Sequence, residues 1–247
     1  MSSGGSEAWR QLGTPRGGGI LLIADHASNH VPDDIDLGID PGLLTNHIAI
    51  DIGVAEVAAL LVADGAVDAA ILGGVSRLVV DCNRDEEALG VLPIASDGHA
   101  VPGNALDDAG REARLARFFR PYHDHIAATI AAHRPAMILS LHSFTPALSA
   151  HPDQARPWHV GVLYNEDDRL AGAAIAALEA EGLNVGDQLP YSGKLLNATM
   201  NRHAEGNAIP YVGIEMRQDL VSDAVGQALF AQRLSRMCSK LALYPGE

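Results

Sequence analysis

The sequence predicts a single α/β domain built on a largely parallel sheet, and three observations carry that prediction. Short apolar runs rich in β-branched residues recur along the chain. Stretches with a helical apolar stripe separate them, and no repeat or low-complexity linker follows residue 19. Strands that alternate with helices pair in parallel and are covered on both faces.

The elements follow in order. Residues 1–18 are rich in Gly, Ser and Pro and lack a hydrophobic period, which predicts a mobile tail ahead of one domain over 19–247. Buried strands are predicted at 20–24, 69–72, 78–80, 137–141, 160–164 and 211–215, each too short and too β-branched for a buried helix. Helices are predicted at 55–63, 168–181 and 222–243. Another carries the stripe Leu115, Phe118, Tyr122, Ile126 and Ile130, with Asp107 and Asp108 at its positive end. His123 and His125 fall on the polar side of that helix, where solvation is the ordinary expectation.

Composition narrows the function. The chain has 247 residues, 47% of them hydrophobic, and a formal net charge of −14. That charge repels phosphate backbones and anionic bilayers, so neither nucleic acid nor membrane is an expected partner. Two cysteines, Cys82 and Cys238, make no disulfide framework. No secretory signal or membrane-length apolar stretch is visible, and a reducing cytoplasm is the expected location. The sequence does not specify an oligomeric state.

Open α/β sheets bind ligands at the carboxyl ends of their strands. Polar residues cluster where the apolar runs stop: Asp25-His26, Asp81-Cys82-Asn83-Arg84, His142-Ser143, Asn165 and Glu215-Met216-Arg217. His26 or His142 alone reads as a hydrogen-bonded rim histidine; together they read as metal ligands. A catalytic zinc needs three protein ligands and an open position. Asn29 has the short spacing from His26 typical of paired ligands, while the harder carboxylates of Asp51 and Asp25 compete with it. Asp25 could instead orient His26.

Glu215 is the candidate general base, able to take a proton from water and pass it to a leaving amine. Its alternative is a strand-end carboxylate paired with an arginine. Arg84, Arg217, Arg77 and Arg202 adjoin other polar positions, and guanidinium forks in a cleft predict a small anionic substrate. Tyr191, Ser192 and Asn201 are candidates for the pocket wall or for turns and caps. No phosphate-binding loop, dinucleotide fingerprint or serine nucleophile elbow is present. Cys82 reads as a small buried thiol.

The sequence also resembles a known family, the N-formylglutamate amidohydrolases. The matching stretches are DHASNHVP at 25–32, HIAIDIG at 47–53, GVSRLVVDCNR at 74–84 and SLHSFTP at 140–146. RPWHVGVLYN at 156–165, PYSG at 190–193, NRHAE at 201–205 and IEMRQDL at 214–220 complete the set, in the family's order. The family is distantly similar to the zinc carboxypeptidases and the aspartoacylase group.

The resemblance implies a three-layer α/β/α fold with a mixed sheet. It implies hydrolysis of N-formyl-L-glutamate to formate and L-glutamate, the last step of one histidine degradation route. By the same resemblance His26 and His142 bind zinc, with Asn29 where the distant relatives have a glutamate ligand. Glu215 is then the base, and Asn83 and Arg84 hold a substrate carboxylate. Arg217, Ser143, Tyr191 and Asn201 complete the expected substrate contacts. Another small N-acyl amino acid as substrate, or a non-catalytic metal- or amino-acid-binding homologue, are the alternative expectations.

Overall fold

The computed structural model describes residues 3–149 and 151–243. Eight strands form one mixed sheet: β1 (Ser3–Ser6), β2 (Trp9–Gly13), β3 (Ile20–Ala24), β4 (Ala69–Gly73), β7 (Met137–Phe144), β8 (Val160–Leu163), β9 (Val185–Asp187) and β10 (Tyr211–Arg217). A small separate hairpin holds β5 (Ala95–Ser96) and β6 (His99–Ala100). The sheet order is β1-β2-β4-β3-β7-β10-β8-β9. The four central strands β4, β3, β7 and β10 run parallel, and antiparallel pairings lie outside them.

Alternation within the central strands builds two cores. Leu22, Ala24, Leu139, Leu141, Val212 and Ile214 face one side. There α1 (Val54–Ala63), α4 (Ala171–Glu179) and α6 (Ala224–Leu241) cover them. Leu21, Ile23, Ile138 and Tyr211 face the other side, beneath Phe118, Tyr122 and Ile126 of the long helical segment. That segment comprises α2 (Asp108–Arg114), a π turn (Leu115–Phe119) and α3 (Arg120–Ala132). Pro121 has no N–H to return to the carbonyl of Arg117, and the wider turn falls where that bond is missing. A short α5 (Ala198–His203) lies beside α3. No helix among the described residues is long and apolar enough to cross a membrane.

Two sequence expectations change. The start of the chain, expected as a mobile tail, contributes β1 and β2 to the sheet edge. Trp9 stacks on His125 with ring centroids 3.5 Å apart, so one aromatic anchor does what a hydrophobic period would otherwise do. The apolar run 78–80, expected as a strand, is a buried turn. Ser76 organises it, donating to the Ala49 carbonyl while its own carbonyl accepts from Val79 N–H at 2.8 Å. The run signalled burial correctly, but local hydrogen bonding took the place of a ladder.

Gly53 shapes the loop that carries Asp51. It adopts φ +80° ahead of α1, and a Cβ there would collide with the Val221 carbonyl. Only glycine lets the 47–53 loop turn sharply enough to send Asp51 inward.

Candidate active site

The parallel strands β3, β7 and β10 end on one side of the sheet, and their ends carry the polar cluster. His26 follows β3, His142 lies near the end of β7, and Glu215 is paired in register with His142 on β10. The 47–53 loop brings Asp51 over them, with Asp51 N–H donating to the His26 carbonyl at 3.0 Å. His26, Asp51 and His142 offer ligand atoms that all lie within 4.8 Å of one another, and all three side chains are buried. Asp51 Oδ2 is 2.9 Å from His142 Nδ1 and 3.4 Å from His26 Nδ1.

The far nitrogen of each imidazole meets a second carboxylate. His26 Nε2 donates to Asp81 Oδ1 at 2.7 Å, and His142 Nε2 lies 3.4 Å from Asp25 Oδ2. Asp25 is itself fixed by Tyr122 Oη at 2.9 Å and Thr199 Oγ1 at 2.8 Å, both donating to Oδ1. Asp81 accepts from Asn83 N–H at 3.0 Å and from Arg77 and Arg84. Asp81 accepts the hydrogen bond from His26 Nε2, Asp25 stands behind His142 Nε2 within ion-pair distance, and both Nδ1 atoms face Asp51.

The electrostatics are one-sided. Asp25, Asp51, Asp81 and Glu215 converge in a buried volume with Arg77, which bonds Asp51 at 3.0 Å and Asp81 at 3.3 Å. Burial opposes ionisation of Asp51 and Asp81, but the neighbouring imidazoles and Arg77 overcome it and hold both below the ordinary carboxylate range. His142 is pushed well above its ordinary value against its own burial, by Asp25 and Asp51. Glu215 goes the other way: burial, reinforced by the charge on Asp51, raises it to about 7. Its Oε2 has no hydrogen-bond partner among the described residues.

The cleft over this cluster is lined by several of the residues the sequence singled out, including Asn83, Arg84, Ser143 and Tyr191. Others lie elsewhere. Asn29 is exposed and outside the cluster. The backbone beyond His26 is irregular, with the His30 carbonyl bonding Ser76 N–H, and it leaves the Asn29 side chain in solvent. Asp51, an open alternative in the sequence, is the third member of the buried group that could hold a metal ion.

Arg217 lies outside the cleft lining and pairs with Asp219 at 2.8 Å while donating to the carbonyls of Pro157 and Trp158. Asn201 accepts from Asn165 and Asn197, bracing α5. Arg202 lies over the Phe119 ring. Asp25 backs His142 rather than His26, and the Cys82 thiol is fully buried and pushed up by that burial.

His123, expected in solvent, is buried instead. Its Nδ1 is 2.9 Å from His203 Nε2, and Nε2 bonds the Cys82 carbonyl. Burial lowers the two rings to about 3 and about 4, so the pair is a neutral strut beneath the 81–84 loop. Asp81 stood out in the sequence only as part of a polar run and Arg77 only as one of four candidate arginines; the turn at 78–80 brings the two together, Asp81 behind His26 and Arg77 between Asp51 and Asp81.

No curated protein matches the chain. Among solved structures, a gene product from Agrobacterium tumefaciens, Atu2144, is 33% identical with a TM-score of 0.84, covering 91% of this chain and 90% of its own. An N-formylglutamate amidohydrolase from Ralstonia eutropha JMP134 shares the fold at 15% identity and a TM-score of 0.76, covering 97% of this chain and 99% of that one. The family model for N-formylglutamate amidohydrolase matches residues 18–222, a span that holds every element of the cluster from His26 to Glu215. The chain therefore belongs to the N-formylglutamate amidohydrolase family, enzymes that hydrolyse an amide.

Proposed function

We propose that the protein hydrolyses the formyl amide of N-formyl-L-glutamate, giving formate and L-glutamate, and that it does so with one divalent cation, zinc, held by His26, Asp51 and His142. The observation that carries this reading is the convergence of two imidazoles and a carboxylate within 4.8 Å beside a raised, unpartnered Glu215. The residues fit a cation on their chemistry. Two nitrogen donors and one carboxylate are a zinc set, and the carboxylates that raise both imidazoles favour positive charge at this place, which a cation would supply in exchange for the imidazolium protons. A bound zinc ion supplies Lewis acidity to the reaction.

The chain's own groups do the rest. Glu215, as carboxylate, accepts a proton from the attacking water and returns it to the amine nitrogen as the C–N bond breaks. Arg77 places positive charge beside the carbonyl oxygen as negative charge builds there. Asn83 spends its carbonyl oxygen on Thr199 N–H, which leaves its amide N–H groups for a substrate carboxylate beside Arg84. Asp25 and Asp81 hold the imidazoles in register. The free, buried Cys82 and Cys238 accord with a reducing cytoplasm, and the products accord with the end of histidine breakdown.

Purified protein is expected to release formate from N-formyl-L-glutamate, to lose that activity on chelation and to regain it with zinc. Turnover that survives exhaustive chelation would remove the cation from the mechanism. Faster turnover of N-acetyl- or N-succinylglutamate in the same assay would move the acyl specificity to another small group. Asp81→Asn is expected to weaken zinc binding about 10–100-fold in a chelator competition, as loss of a ligand-orienting partner does. An unchanged affinity would mean that His26 needs no such support.

A further inference from the structure

In a chain of net charge −14, arginines find carboxylates readily: Arg77, Arg84, Arg117 and Arg217 each have one within 4 Å. Arg156 is one of those without such a partner, and it stands at the wall of the cleft, bonded to two residues that line it. It is half-buried, and among the described residues no carboxylate pairs with it. Its Nη1 donates to Tyr191 Oη at 2.9 Å and to the Thr145 carbonyl at 3.4 Å, and the guanidinium lies 4.9 Å from the Tyr191 ring centroid. Tyr191 and Thr145 both line the cleft, and Arg156 stands directly behind them, one hydrogen bond from the lining. Two neutral partners on one nitrogen hold the fork in place and leave its charge and its remaining N–H groups unspent.

We propose that Arg156, steadied by Tyr191 and Thr145, is the subsite for the side-chain carboxylate of the substrate, so that the cleft selects N-acyl dicarboxylic amino acids. This deepens the function proposed above and rests on it for the identity of the reacting bond. Position supports the division of labour. Arg84 contacts Asp81, which contacts His26, so its guanidinium lies one carboxylate away from the reaction centre. Thr145 lies three residues beyond His142, about 10 Å of extended chain. The α-carboxylate, two bonds from the scissile nitrogen, falls to the near arginine. The side-chain carboxylate, four bonds away, reaches the far one.

The experiment uses the zinc-loaded enzyme and compares kcat/KM for N-formyl-L-glutamate with that for N-formyl-L-glutamine, which keeps the α-carboxylate and loses the side-chain charge. Arg156→Met is expected to lower kcat/KM for N-formyl-L-glutamate on the order of 100-fold and to leave N-formyl-L-glutamine within about threefold. The second substrate thereby serves as the check on folding. Arg156→Lys, which keeps charge but not the fork, is expected to fall between. An equal loss on both substrates, or no loss on the glutamate substrate, overturns the subsite.

Calorimetric titration of L-glutamate separates the subsite from the reaction. Wild-type protein that binds L-glutamate at least tenfold more tightly than Arg156→Met, yet hydrolyses no N-formyl compound, would keep the subsite and sink the proposed function. Hydrolysis without an Arg156-dependent preference would keep the function and sink the subsite.

Discussion

Glu215→Gln is expected to lower kcat about 1,000-fold while zinc content stays at the wild-type level. General acid–base catalysis by one positioned group contributes roughly 100- to 10,000-fold. The carboxylate that would supply it is in register with His142 on the adjacent strand and carries an uncommitted oxygen. Glutamine fills the same volume and cannot shuttle a proton, and it is not one of the three ligands. Turnover within tenfold of wild type would assign the base elsewhere.

The same substitution carries an opposite expectation for stability. In the metal-free protein Glu215 is raised from 4.5 to about 7 by burial, so the folded state holds this proton more tightly than the unfolded chain. Its contribution is intact below pH 4.5, declines as pH rises to about 7, and is constant beyond. The span corresponds to roughly 3 kcal/mol. Metal-free Glu215→Gln should therefore be more stable than wild type at pH 8 and lose that advantage at pH 4. Denaturant unfolding at both pH values checks it. A variant that is dead and also unstable at pH 8 would be a folding casualty, not a test of the base.

What the sequence disclosed, and what it hid, divides along physical lines. Central strands are buried on both faces, so their apolar runs stand out, and β3, β4, β7 and β10 were legible to within three residues at either end. His26, His142 and Glu215 were legible for the same reason, since a polar residue ending a buried strand is conspicuous. The edge strands β1 and β2 were not, because an edge anchored by one stacked tryptophan has no periodicity to read. Asp51 and Asp81 enter from loops whose paths depend on Gly53 and on the Ser76-centred turn, and sequence spacing says nothing of where such loops lead. Asn29 illustrates the converse. A motif-like interval looked like a ligand pair, but the irregular backbone after β3 leaves Asn29 exposed and outside the cluster. Arg156 was hidden more deeply still: its place behind Tyr191 and Thr145 at the cleft wall is something only three dimensions reveal.

The contrast between Asp51 and Asn29 gives the other large expected effect. Asp51→Asn should weaken zinc binding by at least about 1,000-fold, beyond the 10–100-fold typical of an outer partner. Activity at ordinary zinc concentrations should vanish, whereas Asn29→Ala should stay within twofold of wild type on both counts. The reason is charge as well as position. Asp51 Oδ2 faces both imidazole Nδ1 atoms, and its other oxygen is pinned by Arg77 at 3.0 Å. An amide there brings a weaker donor atom and leaves Arg77 leaning on Asp81 alone.

Some loss of stability accompanies the change. Asp51 is held below its ordinary value, so its ionised form stabilises the fold above about pH 4, and that contribution is lost as pH falls. Zinc titration of both variants, with circular dichroism to confirm that each is folded, separates ligation from folding. Retention of zinc by folded Asp51→Asn together with its loss in Asn29→Ala would move the third ligand back to the exposed loop. Loss in Asp51→Asn alone would assign it to the buried carboxylate that the 47–53 loop carries inward.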